Sequence, residues 1–244
     1  MTINERFSRT IKYFQKVYPV AETELAYRSP FELLVAVILS AQCTDKRVNI
    51  ITPPLIKRFP DAESMAKAEP EVIFEYIKSC TYPNNKAKYL SGMSRMLVSD
   101  FGGTVPSEPV LLQHLPGVGR KSANVVASVI FRKPVMAVDT HVFRVSHRIG
   151  LVKNAKTPLS VEIQLTRHIP VELIHESHHW LILHGRYTCT ARNPNCSKCG
   201  LTDFCDYFKK YRNKQNLVEI DITRQKIAKV KQQTEIKNQI RGLN

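Results

Sequence analysis

The chain of 244 residues carries 36 Lys and Arg against 21 Asp and Glu, and its sequence pI is about 9.7. That excess of positive charge favours a polyanionic partner, with nucleic acid the first candidate and an acidic membrane surface the competitor. The longest apolar run, residues 33–39, is too short for a helix that crosses a bilayer.

With 43% hydrophobic residues the chain can bury one large core or two modest ones. Apolar residues recur at helical spacing far more often than they alternate, so the fold class read from the pattern is mainly α-helical with few strands. The opening Met1-Thr2-Ile3-Asn4-Glu5-Arg6 lacks the apolar core of a secretory signal, and the expected location is the cytoplasm or nucleoid. Ser29-Pro30-Phe31-Glu32 combines a capping serine, a proline at the first helical position and a glutamate three residues after the cap. The run that follows is therefore read as a buried helix and not a strand. Further helix starts are expected at Glu69-Pro70 and Thr157-Pro158. Thr81-Tyr82-Pro83 reads as a turn between helices.

Near the middle, Leu115-Pro116-Gly117-Val118-Gly119-Arg120-Lys121 opens an apolar helix, and Val138-Asp139-Thr140-His141 follows. Glycines able to take positive φ let backbone N–H groups approach an oxyanion, and the following helix N-terminus adds its dipole, so the turn suits a DNA phosphate. The same pattern is also an ordinary turn between helices, and Asp139 reads equally as an N-cap. Lys121 lies in the first helical turn, where the dipole and burial favour a neutral, nucleophilic amine while a nearby carboxylate opposes it. The residues alone leave that balance open.

Cys189, Cys196, Cys199 and Cys205 follow the pattern C-x6-C-x2-C-x5-C, which in an intracellular chain points to metal ligation over disulfides. Four thiolates suit zinc or an iron–sulfur cluster equally. Cys43 and Cys80 stand in apolar contexts and are expected in the core. From Tyr211 onward the chain is basic with little to bury, and a basic tail over 211–244 is expected.

LPGVGRKSANVV followed by AVDTHVFRV resembles the helix-hairpin-helix DNA glycosylases of the endonuclease III type, over approximately residues 5 to 210. The resemblance implies two all-α domains flanking a cleft. One is a six-helix domain over 21–134 that contains the hairpin, and the other combines residues 1–20 with 135–210. It implies Lys121 as nucleophile and Asp139 as the catalytic carboxylate, facing each other across that cleft. It implies a [4Fe-4S] cluster on Cys189, Cys196, Cys199 and Cys205. It also implies DNA contacts from Gln42, which fills the hole left by a flipped base, from Tyr82 in the wedge position, and from Leu115, Gly117, Val118, Gly119 and Arg120. His141, Arg144 and, in the loop between the first two cysteines, Arg192 complete that set. The implied activity is removal of oxidised pyrimidines from double-stranded DNA by a monomer, with strand cleavage at abasic sites through a lysine Schiff base. A monofunctional adenine glycosylase of the same superfamily and a non-catalytic DNA-binding module with a metal-stapled loop are the alternatives.

Overall fold

The computed structural model describes residues 1–210, and the expected basic tail over 211–244 lies outside the described residues. Those residues include eleven α-helices and two single 3-10 turns, residues 206–210 are also helical, and no strand occurs among the described residues. The helices are α1 (Ile3–Val17), α2 (Pro30–Ser40), α3 (Asp45–Arg58), α4 (Ala62–Ala66), α5 (Pro70–Ile77), α6 (Pro83–Phe101), α7 (Pro109–Leu112), α8 (Arg120–Phe131), α9 (Thr140–Ile149), α10 (Pro158–His168) and α11 (Ile174–Tyr187). No helix is long and apolar enough to cross a membrane.

α2 is the axis of the first core. Leu33, Leu34, Val35, Ala36, Val37, Ile38 and Leu39 are all buried, so the helix is apolar all round and must be enclosed by its neighbours. Its start is wired differently from a reciprocal capping box. Ser29 Oγ accepts from the Glu32 N–H at 3.2 Å, but the Glu32 carboxylate accepts from Arg28 N–H at 2.8 Å instead of from Ser29. The expected starts at Pro70 and Pro158 are present, and Thr157 forms a capping box with Ser160. Helices α2 to α8 supply the first core, with one more helical segment than the six expected because α7 is a single turn.

A second core gathers α1, α9, α10 and α11 around Phe7, Phe14, Val142, Val145, Leu165, Trp180 and Leu181. Arg6 ties α1 to this half of the molecule by donating to the carbonyls of Ile149 and Phe204, the latter at 2.9 Å, and by pairing with Asp206. The irregular segment between α1 and α2 crosses from one core to the other. Asn49 of α3 holds it there, donating to the Glu24 carbonyl at 2.8 Å and accepting from Ala26 N–H at 2.9 Å.

The end of α2 is closed by a buried lysine. Lys86 of α6 is 4% exposed, and its Nζ donates to the Leu39 carbonyl at 2.8 Å, the Ala41 carbonyl at 2.7 Å and the Cys80 sulfur at 3.1 Å. Carbonyls at a helix C-terminus have no intrahelical donor, and Lys86 satisfies two of them where water is excluded. Replacing Lys86 by Met keeps the length of the side chain and removes the donor. Lys86→Met is expected to cost ~3 kcal/mol for the unpaired buried carbonyls, read from the midpoint of urea unfolding.

Candidate active site

α8 begins at the hairpin. Gly117 has φ +80°, and a Cβ there would sit 2.8 Å from Tyr89 Cβ, so both conformation and close approach require glycine. Gly119 differs from expectation: its φ of −85° and ψ of 175° are open to any residue. A Cβ at Gly119 would meet no atom of the chain, so the space it leaves faces outward. Gly119 gives α8 no side-chain cap, which leaves the first-turn N–H groups without an internal acceptor and directed at solvent, the arrangement that receives an anion.

The hairpin's side chains do other work. Leu115 and Val118 are 2% and 5% exposed and belong to the first core, so their side chains face inward. Arg120 makes a bidentate pair with Glu162 of α10, at 3.0 and 2.7 Å, and joins the two halves.

Lys121 turns the other way, into a cleft between the two cores. The cleft holds about 520 Å³ including its open mouth, and is lined by Lys121 and Val125 of α8, Ser40 at the end of α2, Asp45 of α3, Asp139, and His178, His179 and Arg186 of α11. Lys121 makes no hydrogen bond or ion pair with the described residues, Asp139 included. Lys121 is exposed at the mouth of the cleft, while its side chain lines the interior. Burial pushes the amine below the ordinary lysine range, against Asp139 and Asp45, which raise it, and with Arg186, which lowers it.

Asp139 both caps a helix and lines the cleft. Its Oδ1 accepts from the N–H groups of His141 and Val142, both at 2.8 Å, and so caps α9. The cap fixes the carboxylate at the cleft wall, and the N-cap and cleft readings coexist.

The opposite wall carries groups that sequence reasoning missed. Arg186 pairs with Asp45 at 2.7 Å and with Glu24, while Tyr187 donates to the same Glu24 carboxylate. His178 Nδ1 lies 2.9 Å from the Ala137 carbonyl, which can only accept, so that nitrogen carries the proton. Burial, helped by Lys121, drives His178 down to about 3, and burial drives His179 to about 2. Both rings are neutral near pH 7. On α11, His178, Ile182 and Arg186 recur every four residues and share one face. That spacing was the available signal.

At the rim of the first core, Gln42 and Tyr82 are exposed, Tyr82 at 62%. Both have left-handed backbone, with φ of 54° and 53°, uncommon for residues with side chains and informative when it occurs. Arg192 is exposed. His141 lies beside Arg144, 3.2 Å from its guanidinium. Arg144 itself donates to the carbonyls of Gly185 and Cys189, at 2.9 and 3.2 Å, and so staples α9 to the end of α11.

Cys189, Cys196, Cys199 and Cys205 ring an apolar hollow together with Ile149, Leu201 and Phe208. Four sulfurs around one hollow are the donor set that an iron–sulfur cluster or a zinc ion takes. Burial raises Cys199 to about 11 and lifts Cys196 and Cys205 in the same direction, so these thiols need a metal to ionise. Arg148, also unread in the sequence, donates to the Thr190 and Ala191 carbonyls at 2.7 and 2.8 Å and lies over the Tyr207 ring.

Residues 35–170 match the model of the HhH-GPD superfamily base excision DNA repair proteins, and residues 189–205 match the iron–sulfur binding domain of endonuclease III. The chain is 46% identical over 201 residues to endonuclease III of Rickettsia conorii, covering 82% of this chain and 95% of that protein. It is 44% identical over 192 residues to endonuclease III of Escherichia coli, covering 79% and 90%. Among solved structures, a trapped endonuclease III–DNA covalent intermediate superposes with a TM-score of 0.83 at 40% identity, covering 87% of this chain and 100% of that one. By sequence, fold and the paired catalytic and cysteine segments, the chain belongs to the endonuclease III family of helix-hairpin-helix DNA glycosylases.

Proposed function

We propose that this base-excision-repair enzyme removes oxidised pyrimidines from double-stranded DNA and cleaves the resulting abasic strand, with Lys121 as the nucleophile. The observation that carries this reading is an unpaired lysine amine, lowered by burial, in the same narrow cleft as a capped carboxylate. A base inside the stack is out of reach, so the nucleotide is flipped into the cleft, with Gln42 and Tyr82 entering the gap it leaves. The free N–H groups at the start of α8 hold the backbone phosphate, assisted by Arg192 and His141.

In the chemical step the neutral Lys121 amine attacks C1′ of the flipped sugar. The bond from C1′ to the base breaks and the base leaves with the electron pair. Loss of the amine proton and opening of the sugar ring give an imine between Nζ and C1′. A proton then leaves C2′ and the 3′ phosphate is expelled by β-elimination, cutting the strand. Asp139 opposes the positive charge that develops on the sugar as the base departs. Neutral His178 and His179 add no positive charge to that wall at working pH.

The chain carries a [4Fe-4S] cluster, which we assign to Cys189, Cys196, Cys199 and Cys205. When bound, it supplies cross-links that hold the loop after α11 against α9. The two cores support a division into residues 21–134 and residues 1–20 with 135–210, although Ala21 packs into the second core and Val135 and Ala137 into the first. We further infer a monomer acting on nucleoid DNA in the cytoplasm, since every group assigned to the reaction lies on one chain.

Wild-type protein incubated with thymine-glycol duplex and borohydride is expected to give a covalent adduct that Lys121→Gln does not form. Asp139→Asn retains a cap, so its DNA affinity is expected to stay near wild type while single-turnover base release falls about 100-fold. The charge it removes favours the ammonium form of Lys121. The pH midpoint for cleavage of preformed abasic DNA is therefore expected to shift downward in Asp139→Asn. Cys196→Ser is expected to lose iron and sulfide together by elemental analysis and to become protease-sensitive after Tyr187.

A further inference from the structure

The loops that carry Gln42 and Tyr82 are coupled. Thr81 Oγ1 donates to the Gln42 carbonyl at 2.7 Å. Directly behind them, Cys43 follows Gln42 and Cys80 precedes Thr81 in the chain. Cys43 and Cys80 thus flank a direct contact between the two loops, and the Cys80 sulfur lies 3.4 Å from the Leu39 carbonyl and 3.1 Å from Lys86 Nζ. Cys80 is 5% exposed, whereas Cys43 is only partly covered. Both were expected as core residues, and Cys43 packs at the edge of that core. One reachable thiol, one buried thiol and a hydrogen-bond donor to the buried sulfur form a dithiol separate from the four cysteines near the C-terminal loop.

We propose that Cys43 and Cys80 form a reversible disulfide, made by exchange with a low-molecular-weight disulfide, that pulls the Gln42 and Tyr82 loops out of their DNA-binding conformation. The proposal rests on the assignment of Gln42 and Tyr82 to the duplex. Cys43 gives up its proton and attacks one sulfur of the oxidant, whose S–S bond breaks and releases the first small thiol. Cys80 then gives up its proton, attacks the sulfur of Cys43 and expels the second. Two protein thiols and one small disulfide become one protein disulfide and two small thiols. Lys86 Nζ stabilises the attacking Cys80 thiolate, which burial alone disfavours. Bonding the two sulfurs fixes the Cβ separation at about 3.8 Å. The segments that take up the adjustment are the flanking ones, where Gln42 and Tyr82 already hold left-handed backbone. Disulfides in reducing compartments are transient and regulatory when they occur, which suits a pair placed at a binding surface.

The test uses the full chain with its cluster loaded, treated with oxidised glutathione while the visible absorbance of the cluster is followed. Free thiols are then alkylated, and cross-linked peptides are mapped by mass spectrometry. Affinity for a duplex holding a tetrahydrofuran abasic analogue is measured by fluorescence anisotropy. The expected result is a peptide joining Cys43 to Cys80 and roughly tenfold weaker binding, the loss of about one stacked side chain, both reversed by dithiothreitol. Cys43→Ser is expected to hold one affinity with or without treatment, and Cys80→Ala, which cannot resolve the mixed disulfide on Cys43, is expected to give no cross-linked peptide. Arrest at a glutathione adduct on Cys43, or a cross-linked protein that binds as tightly as the reduced one, would overturn the proposal. Untreated Tyr82→Ala tests the underlying assignment separately. Wild-type affinity in that variant removes the role of the Tyr82 loop, whatever the peptide map gives.

Discussion

The structure turns on keeping one amine poor in water and without a partner. A lysine on a surface helix is solvated and charged, and a lysine paired with a carboxylate is held charged more firmly still. Lys121 avoids both conditions. It sits in a cleft between two cores, where protein displaces bulk water, and the nearest carboxylates are occupied elsewhere. Asp139 spends one oxygen on capping α9, and Asp45 is paired with Arg186. Arg186 thus has two effects. It draws Asp45 away from Lys121, and its own charge adds to the forces that favour the neutral amine.

The same Arg186 reaches Glu24, in the segment that Asn49 pins between the two cores. The width of the cleft and the electrostatics inside it therefore depend on shared contacts. Arg120 joins the cores from the opposite side through Glu162. Beyond α9, Arg144 and Arg148 secure the turns around Cys189 by donating to main-chain carbonyls. Positive charge in this chain is used for internal stapling as well as for DNA, and net charge alone could not separate the two uses.

Much of the fold was legible because its signals are local. The apolar run after Ser29, the proline starts at Pro70 and Pro158 and the hairpin all report on neighbours within a few residues. Lys121, Asp139 and the four cysteines stood out because reactive residue types beside a glycine turn, or at close cysteine spacing, restrict the chemistry available to them. What escaped depends on partners far along the chain. Lys86 reads as surface charge until α6 lays it against the end of α2. Arg186 reads as a helix-terminal cation until Glu24 and Asp45 meet it. Leu115, Val118 and Arg120 were assigned to DNA by position in the motif, and burial or a distant glutamate claims their side chains. α3 continues through Pro53 and Pro54, residues that normally end or kink a helix, because its buried face of Val48, Ile51 and Leu55 is held by packing. The outward opening at Gly119 appeared only when its surroundings were known, since its backbone needs no glycine.

The central claim is that the cleft makes Lys121 unusually easy to deprotonate. Its most direct test is an NMR titration of protein carrying 13C at lysine Cε, with the Lys121 resonance assigned by its absence in Lys121→Gln. The account predicts a midpoint below the ordinary lysine value of about 10.4, and an upward shift when Arg186 is replaced by Met, because that change releases Asp45 and removes a like charge. A Lys121 midpoint at or above the ordinary value in the wild-type protein would contradict it.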